Sequence, residues 1–383
     1  MRSLLLINLL LAIVVSIGNS CIPILATQYV GLSVFSFALL EGFAEMCACF
    51  IRVLSGHIFD KSENKKGVFV VAGMMSTVAK LLLLAPSFFT VLSAKVLERF
   101  SNGFFAAPRD AFGGLASKSV GGGISLLTFF KSAGLIIGSI GTGYFLSFTR
   151  GLSESDVIVN LVSIAAIMCL ICTILAFNIN LNIERVEESE NSFNLTDVLD
   201  FVRNNFWLLA FCALFFVARF ADGLILLFLK DVGFEKFFYT SYIGVFNSVM
   251  FIASPIFGYF LDNKKKRLCT YATVLSIIAF NVIALLLDTP NLFFGSLLLA
   301  FWGLQRVGAQ VVFTSLILDS VPKSKFGVSI GVYSMIIGAA GFLGSSVSGF
   351  LQQYSYKHMF CFTLSVSVLS LFLLVKKINV KNT

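Results

Sequence analysis

Gly56-His57-Ile58-Phe59-Asp60-Lys61-Ser62-Glu63-Asn64-Lys65-Lys66 and Gly258-Tyr259-Phe260-Leu261-Asp262-Asn263-Lys264-Lys265-Lys266-Arg267 are two short polar stretches, each set between long apolar runs. Their glycines lie 202 residues apart, and so do their aspartates. A glycine, an aspartate and a basic cluster repeated at one offset in an apolar chain predict two related halves. Paired halves in a bilayer are a common plan of membrane carriers.

The surrounding composition supports a bilayer setting. The 383 residues are 57% hydrophobic and 13% charged, too apolar for a soluble domain of this length. Apolar runs of about 20 residues match a hydrocarbon core of about 30 Å. Twelve are found, near 4–27, 33–55, 67–86, 88–108, 121–147, 157–178, 206–230, 237–260, 268–287, 291–313, 327–351 and 357–375. Strands of a membrane barrel would be half as long and alternate in polarity. The expected fold is therefore all-α, with twelve transmembrane helices in two pseudo-symmetric six-helix bundles. The first run follows Met1-Arg2-Ser3 and is longer than the apolar core of a cleavable signal, so it is read as a retained helix.

The net charge of +8 does not indicate nucleic acid, because the bases are sorted by side. With an even number of spans both termini share one side, and that side carries seventeen lysines and arginines. The opposite loops carry four: Arg150, Lys230, Lys236 and Lys357. The positive-inside rule then puts both termini in the cytoplasm. The eight cysteines are scattered through apolar segments, and Cys169 and Cys172 read as packing residues. With only His57 and His358, no histidine-based metal site is expected.

A charged break at 179–205 divides the chain into halves at 1–178 and 206–383; its part from Asn194 to Arg203 suits either an amphipathic surface helix or a plain connector. Other landmarks repeat near the same offset. Arg99 in the fourth run corresponds to Arg306 in the tenth, and Gly138 and Gly143 in the fifth correspond to Gly344 and Gly349 in the eleventh. These glycines, with Gly134, Gly141, Gly338 and Gly341, predict close and mobile helix packing.

These residues resemble the major facilitator superfamily over essentially the whole chain. Its G-x-x-x-D-[RK]-x-G-[RK]-[RK] signature is matched by Gly56, Asp60, Lys61, Lys65 and Lys66, and more weakly by Gly258, Asp262, Lys266 and Arg267. Glu63 and Asn263 depart from it. Arg99-Phe100-Ser101-Asn102-Gly103 is similar to the fourth-helix signature, with asparagine in place of glutamine. The sequel Pro108-Arg109-Asp110-Ala111 resembles a bacterial subgroup. The fifth run lacks the Gly-Pro pair of the drug antiporters. The resemblance implies alternating access, with Asp60 latching onto the eleventh helix at a cytoplasmic gate.

Chemistry beyond the gate has to come from charges inside the spans, since each ionised group at mid-bilayer costs at least about 2.5 kcal/mol. Glu41, Glu45 and Arg52 share a helical face at spacings of four and seven. Arg219 and Asp222, three apart, suit a mutual pair. The adjacent Glu98 and Arg99 point about 100° apart and require different partners. Lys131 and Arg306 have no acid nearby in sequence. Bases exceed acids in the spans. That surplus fits an anion site at Arg219, Arg306 or Lys131; it equally fits structural pairs, with Lys80 and Lys95 at the lipid edge. Glu41, Glu45 and Asp222 are the candidate proton-binding acids.

The resulting expectation is a secondary transporter of the bacterial inner membrane, taking up a polar or anionic metabolite with protons. Multidrug efflux and a non-transporting receptor or scaffold are the rivals. Substrate or ion coupling falls to Glu41, Glu45, Arg99, Lys131, Arg219, Asp222 and Arg306. The expected partners of this monomer are a small solute, H+ and membrane lipid. No cofactor, metal or nucleic acid is expected. Without a P-loop or a nucleophile–base set, neither is enzyme activity.

Overall fold

The computed structural model describes residues 2–61, 65–115, 120–149, 153–178, 195–262, 265–320 and 326–377, and every regular element among them is helical. The first six spans are α1 (Arg2–Ile24), α2 (Val34–Lys61), α3 (Lys65–Leu82), α4 (Phe88–Leu115), α5 (Val120–Phe148) and α6 (Glu154–Phe177). After the short α7 (Leu195–Asn204), the seventh span is α8 (Phe206–Ala218) with α9 (Gly223–Val232). The eighth is α10 (Lys236–Thr240) with α11 (Tyr242–Asp262), and the ninth is α12 (Lys266–Leu286). The tenth joins α13 (Leu292–Gly308) to α14 (Thr314–Asp319) through a π-helical turn; α15 (Phe326–Gln352) and α16 (Tyr356–Lys377) complete the set.

Ten of these spans are long and apolar enough to cross a bilayer on composition alone. The other two are α3 and α4, whose hydropathy is lowered by the charges they carry. Outward-facing residues such as Ile167, Leu170, Ile171 and Ile174 leave an apolar surface for lipid. Inside, Phe211, Phe215, Phe280, Trp302 and Phe313 fill the second half.

The packing repeats between the halves. In the first, α1 lies on α5 and α6, α2 on α4, and α3 on α4 and α6. In the second, α8 lies on α15 and α16, α11 on α13, and α12 on α13 and α16. Each pair in one half has its counterpart at the duplicated position of the other. The halves meet along two seams, α2 with α15 and α5 with α11, which exchange under the same relation.

Three sequence expectations are revised. The stretch 206–230 is not one helix: the span is interrupted between Ala218 and Gly223, where Arg219 is extended. Within the 179–205 break, 195–204 is helical. Its Phe201 is buried on the bundle while Leu199, Asp200 and Arg203 face outward, which selects the amphipathic reading; 179–194 lie outside the described residues. Of the glycines, Gly134 and Gly138 let α1 approach α5, Gly344 lets α8 approach α15, and Gly338 meets Cys49 across the seam. Gly141 and Gly341 have open space beside them, so close packing does not account for those two.

Candidate substrate and ion-coupling site

The one-face spacing of Glu41 and Glu45 on α2 brings both carboxylates to a single guanidinium. Arg99 of α4 donates through Nη2 to Glu41 Oε2 at 3.2 Å and lies 2.9 Å from Glu45 Oε2 through Nη1. Lys95, one turn earlier on α4, pairs with the other oxygen of Glu41 and reaches Asn19 Oδ1 of α1 at 3.3 Å. Glu98 points elsewhere, as its adjacency to Arg99 requires, and accepts from Lys80 Nζ of α3 at 2.9 Å. Lys80 and Lys95 are thus fully buried and paired, which overturns their placement at the lipid edge. Their stems reach inward because each has a carboxylate there, and an ammonium turned to the acyl chains would have none.

The Lys80–Glu98 pair gives a clean test of this account. Lys80→Met alone strands a buried carboxylate and should destabilise the protein by about 3 kcal/mol, whereas adding Glu98→Leu should restore most of that. Thermal unfolding of the purified variants in detergent checks it.

In the second half the interrupted span sets the geometry. Irregular backbone at membrane depth is tolerated where protein or a wet cavity surrounds it. Asp222 stands at the start of α9, accepts from Trp302 Nε1 at 3.0 Å and pairs with Arg306; both partners are on α13, one turn apart. The expected Arg219–Asp222 pair does not form, because the spacing of three aligns side chains only on a continuous helix. Arg219 instead lies over the Phe216 ring, 5.6 Å from its centroid, and Arg306 over Phe246 at 5.4 Å. Trp302 escapes a reading of the sequence; its position one turn before Arg306 is the available signal.

The two halves converge electrostatically. Glu45 lies within the fields of Arg52 and Arg99 from its own half and of Arg219 and Arg306 from the other. The side chains are exposed by 45% for Glu45, 29% for Arg306, 19% for Asp222 and 17% for Arg99, against 4% for Glu41. Glu41 is thus the buried acid shared by Lys95 and Arg99, and Glu45 is the more exposed of the two. Lys131 of α5 is partly buried.

The duplicated polar stretches fall at equivalent places. Asp60 and Lys61 end α2, Lys65 and Lys66 open α3, Asp262 ends α11, and Lys266 and Arg267 open α12. Gly56 and Gly258 lie one turn earlier than their aspartates. The side chains of Asp60, Lys61, Lys65 and Asp262, and with them the implied contact of Asp60 with the eleventh span, lie outside the described residues. Arg267 sits over Tyr271, 5.7 Å from the ring centroid.

Comparison with known proteins agrees with this architecture. An uncharacterised MFS-type transporter of Methanocaldococcus jannaschii is 36% identical over 121 residues, which is 31% of this chain and 30% of that relative. Among solved structures, a point mutant of the nucleoside transporter NupG superposes with a TM-score of 0.80 at 12% identity, covering 98% of each chain. A POT family transporter in complex with a thioalcohol-conjugated peptide gives 0.79 at 10% identity, covering 98% of this chain and 95% of the other. Residues 4–345 match the profile of the Major Facilitator Superfamily. The chain belongs to that superfamily, a family of membrane transporters and not of enzymes.

Proposed function

We propose that this protein is a secondary carrier that takes up a small polar or anionic solute together with protons by alternating access. The observation that carries the reading is that two partly exposed ion pairs, Glu45–Arg99 of one half and Asp222–Arg306 of the other, lie within each other's electrostatic reach. A solute bound there touches elements of both bundles, so its binding free energy can bias how they rock. Glu45 is the proposed proton carrier. It is the most accessible acid of the cluster and faces guanidiniums from each half, so its environment changes when they separate. Asp222 is the proposed structural counterion of Arg306, and Glu41 that of Lys95 and Arg99.

In this reading the halves divide at 179–205, and the basic loops hold both termini on the cytoplasmic side of a bacterial inner membrane. The duplicated aspartates and bases form the cytoplasmic gate, where a carboxylate can face a helix N-terminus of the other half. The fold shared with nucleoside and peptide transporters is compatible with polar solutes of either size.

The test is transport by proteoliposomes. Under an imposed inward proton gradient, the wild type should accumulate a radiolabelled polar metabolite. Glu45→Gln should lose gradient-driven accumulation while keeping solute exchange at equilibrium. Unchanged accumulation by that variant would remove Glu45 from the coupling role, and expulsion of a cationic dye would favour efflux.

A further inference from the structure

Two guanidiniums in the interior have no acid at ion-pair distance among the described residues. Arg219 lies over the Phe216 ring, and Arg52 leaves its buried Nε without a hydrogen-bond partner. Every other arginine of the cluster is neutralised: Arg99 by Glu41 and Glu45, and Arg306 by Asp222. Arg52 and Arg219 come from different halves, α2 and the interruption between α8 and α9, yet both act on Glu45 and on Cys49 of α2.

A third group belongs to this place. Tyr333 of α15 is 3% exposed, its hydroxyl has no hydrogen-bond partner, and its electrostatic neighbours include Arg219 and Cys49. The packing of α15 brings it there: Gly338 meets Cys49 of α2, and Gly344, three turns beyond Tyr333 on the same helical face, meets Val217 of α8, two residues before Arg219. A buried, unused hydroxyl donor and two partly buried guanidiniums without an ion-pair partner among the described residues lack a common acceptor. A guanidinium presents parallel N–H groups that suit two oxygens of one group, and a phenolic O–H adds a third donor.

We propose that Arg52, Arg219 and Tyr333 form the seat of the solute's anionic group, an oxyanion with at least two acceptor oxygens such as a carboxylate, phosphate or sulfate. The proposal rests on the carrier reading and deepens it by naming the substrate class. The seat draws one cation from each half and a hydroxyl from the α15 side of the seam. An anion placed there therefore ties the bundles together. Glu45 stands beside the seat and competes for the same guanidiniums, so the seat favours the anion most when that carboxylate is neutral. Neutral and cationic solutes gain nothing from it.

The experiment measures ligand-induced thermal stabilisation of the purified full-length protein, which reports binding to the folded state. The probes are inorganic phosphate, sulfate and succinate at constant ionic strength, with uridine and tetraphenylphosphonium as neutral and cationic controls. At least one oxyanion should stabilise the wild type in a saturable way. Its apparent affinity should fall about tenfold in Tyr333→Phe, which removes one hydroxyl and leaves the ring packing, and more than about thirtyfold in Arg219→Gln and Arg52→Gln. Arg219→Lys keeps the charge without the fork and should recover only part of the loss. Equal stabilisation of wild type and all variants would overturn the seat, as would stabilisation by uridine or tetraphenylphosphonium alone, or by no probe at all. In each of those cases solute flux in proteoliposomes still decides the carrier reading separately.

Discussion

Glu41→Gln is expected to be the most damaging single change in this protein. The glutamine keeps the shape but removes the charge that Lys95 and Arg99 share. Arg99 retains Glu45, whereas Lys95, 1% exposed, would be left with neutral amide oxygens, those of the new glutamine and of Asn19, and no carboxylate at ion-pair distance. Removing one partner of a buried pair costs about 3–5 kcal/mol, because the remaining charge has lost both its water and its counterion. Here the stranded group is an ammonium at membrane depth, so the upper end of that range applies. The unfolding temperature should drop by several degrees in detergent, and transport should be lost with it. Glu45→Gln is the comparison: its carboxylate is largely accessible, so stability should change little while coupling fails. Equal stability losses in the two variants would refute the division into structural counterion and carrier.

Gly349→Val should arrest the transport cycle without unfolding the protein. A Cβ at Gly349 would collide with the Cβ of Ala38 and come within 3.4 Å of the Cα of Phe35, both on α2 across the seam. Neither atom can be moved by a side-chain rotation, so the helices themselves must separate. The same side of the molecule is closed by Ser20 Oγ of α1 donating to the Thr240 carbonyl of α10 at 3.0 Å and, at the α5–α11 seam, by the Gly244 N–H donating to Ser139 Oγ at 2.9 Å. Overpacking a tight contact costs about 1–3 kcal/mol, enough to displace an equilibrium between two open states by one to two orders of magnitude. The wedge should hold the side opposite the termini open, and transport should fall more than about tenfold. Ser20 is buried in the wild type, so a Ser20→Cys reporter should be protected from a polar maleimide there and become reactive once Gly349→Val is added. Transport at wild-type rate, with the Ser20→Cys thiol still protected, would show that this seam does not move.

Much of this organisation is written in the chain. Hydropathy sums over about 20 residues, so the spans are local quantities, and the fixed offset of Gly56 and Asp60 to Gly258 and Asp262 announces the duplication without any coordinates. Local spacing also places Glu41 and Glu45 on one face and turns Glu98 away from Arg99, and both relations hold. Spacing fails where the helix fails: at the interruption between Ala218 and Gly223, three residues no longer make one turn, and Asp222 finds Arg306 instead of Arg219.

From the order of residues alone follow the number of spans, their doubling and the roster of charges that must be hidden from lipid. Which charge neutralises which is settled by helix packing, because the partners are 58 residues apart for Glu41 and Arg99 and 84 apart for Asp222 and Arg306. Coulomb attraction falls with distance through space and is indifferent to separation along the chain. The bundles therefore have to assemble before Lys80 and Lys95 can be read as interior, and Arg52 and Arg219 as unmatched.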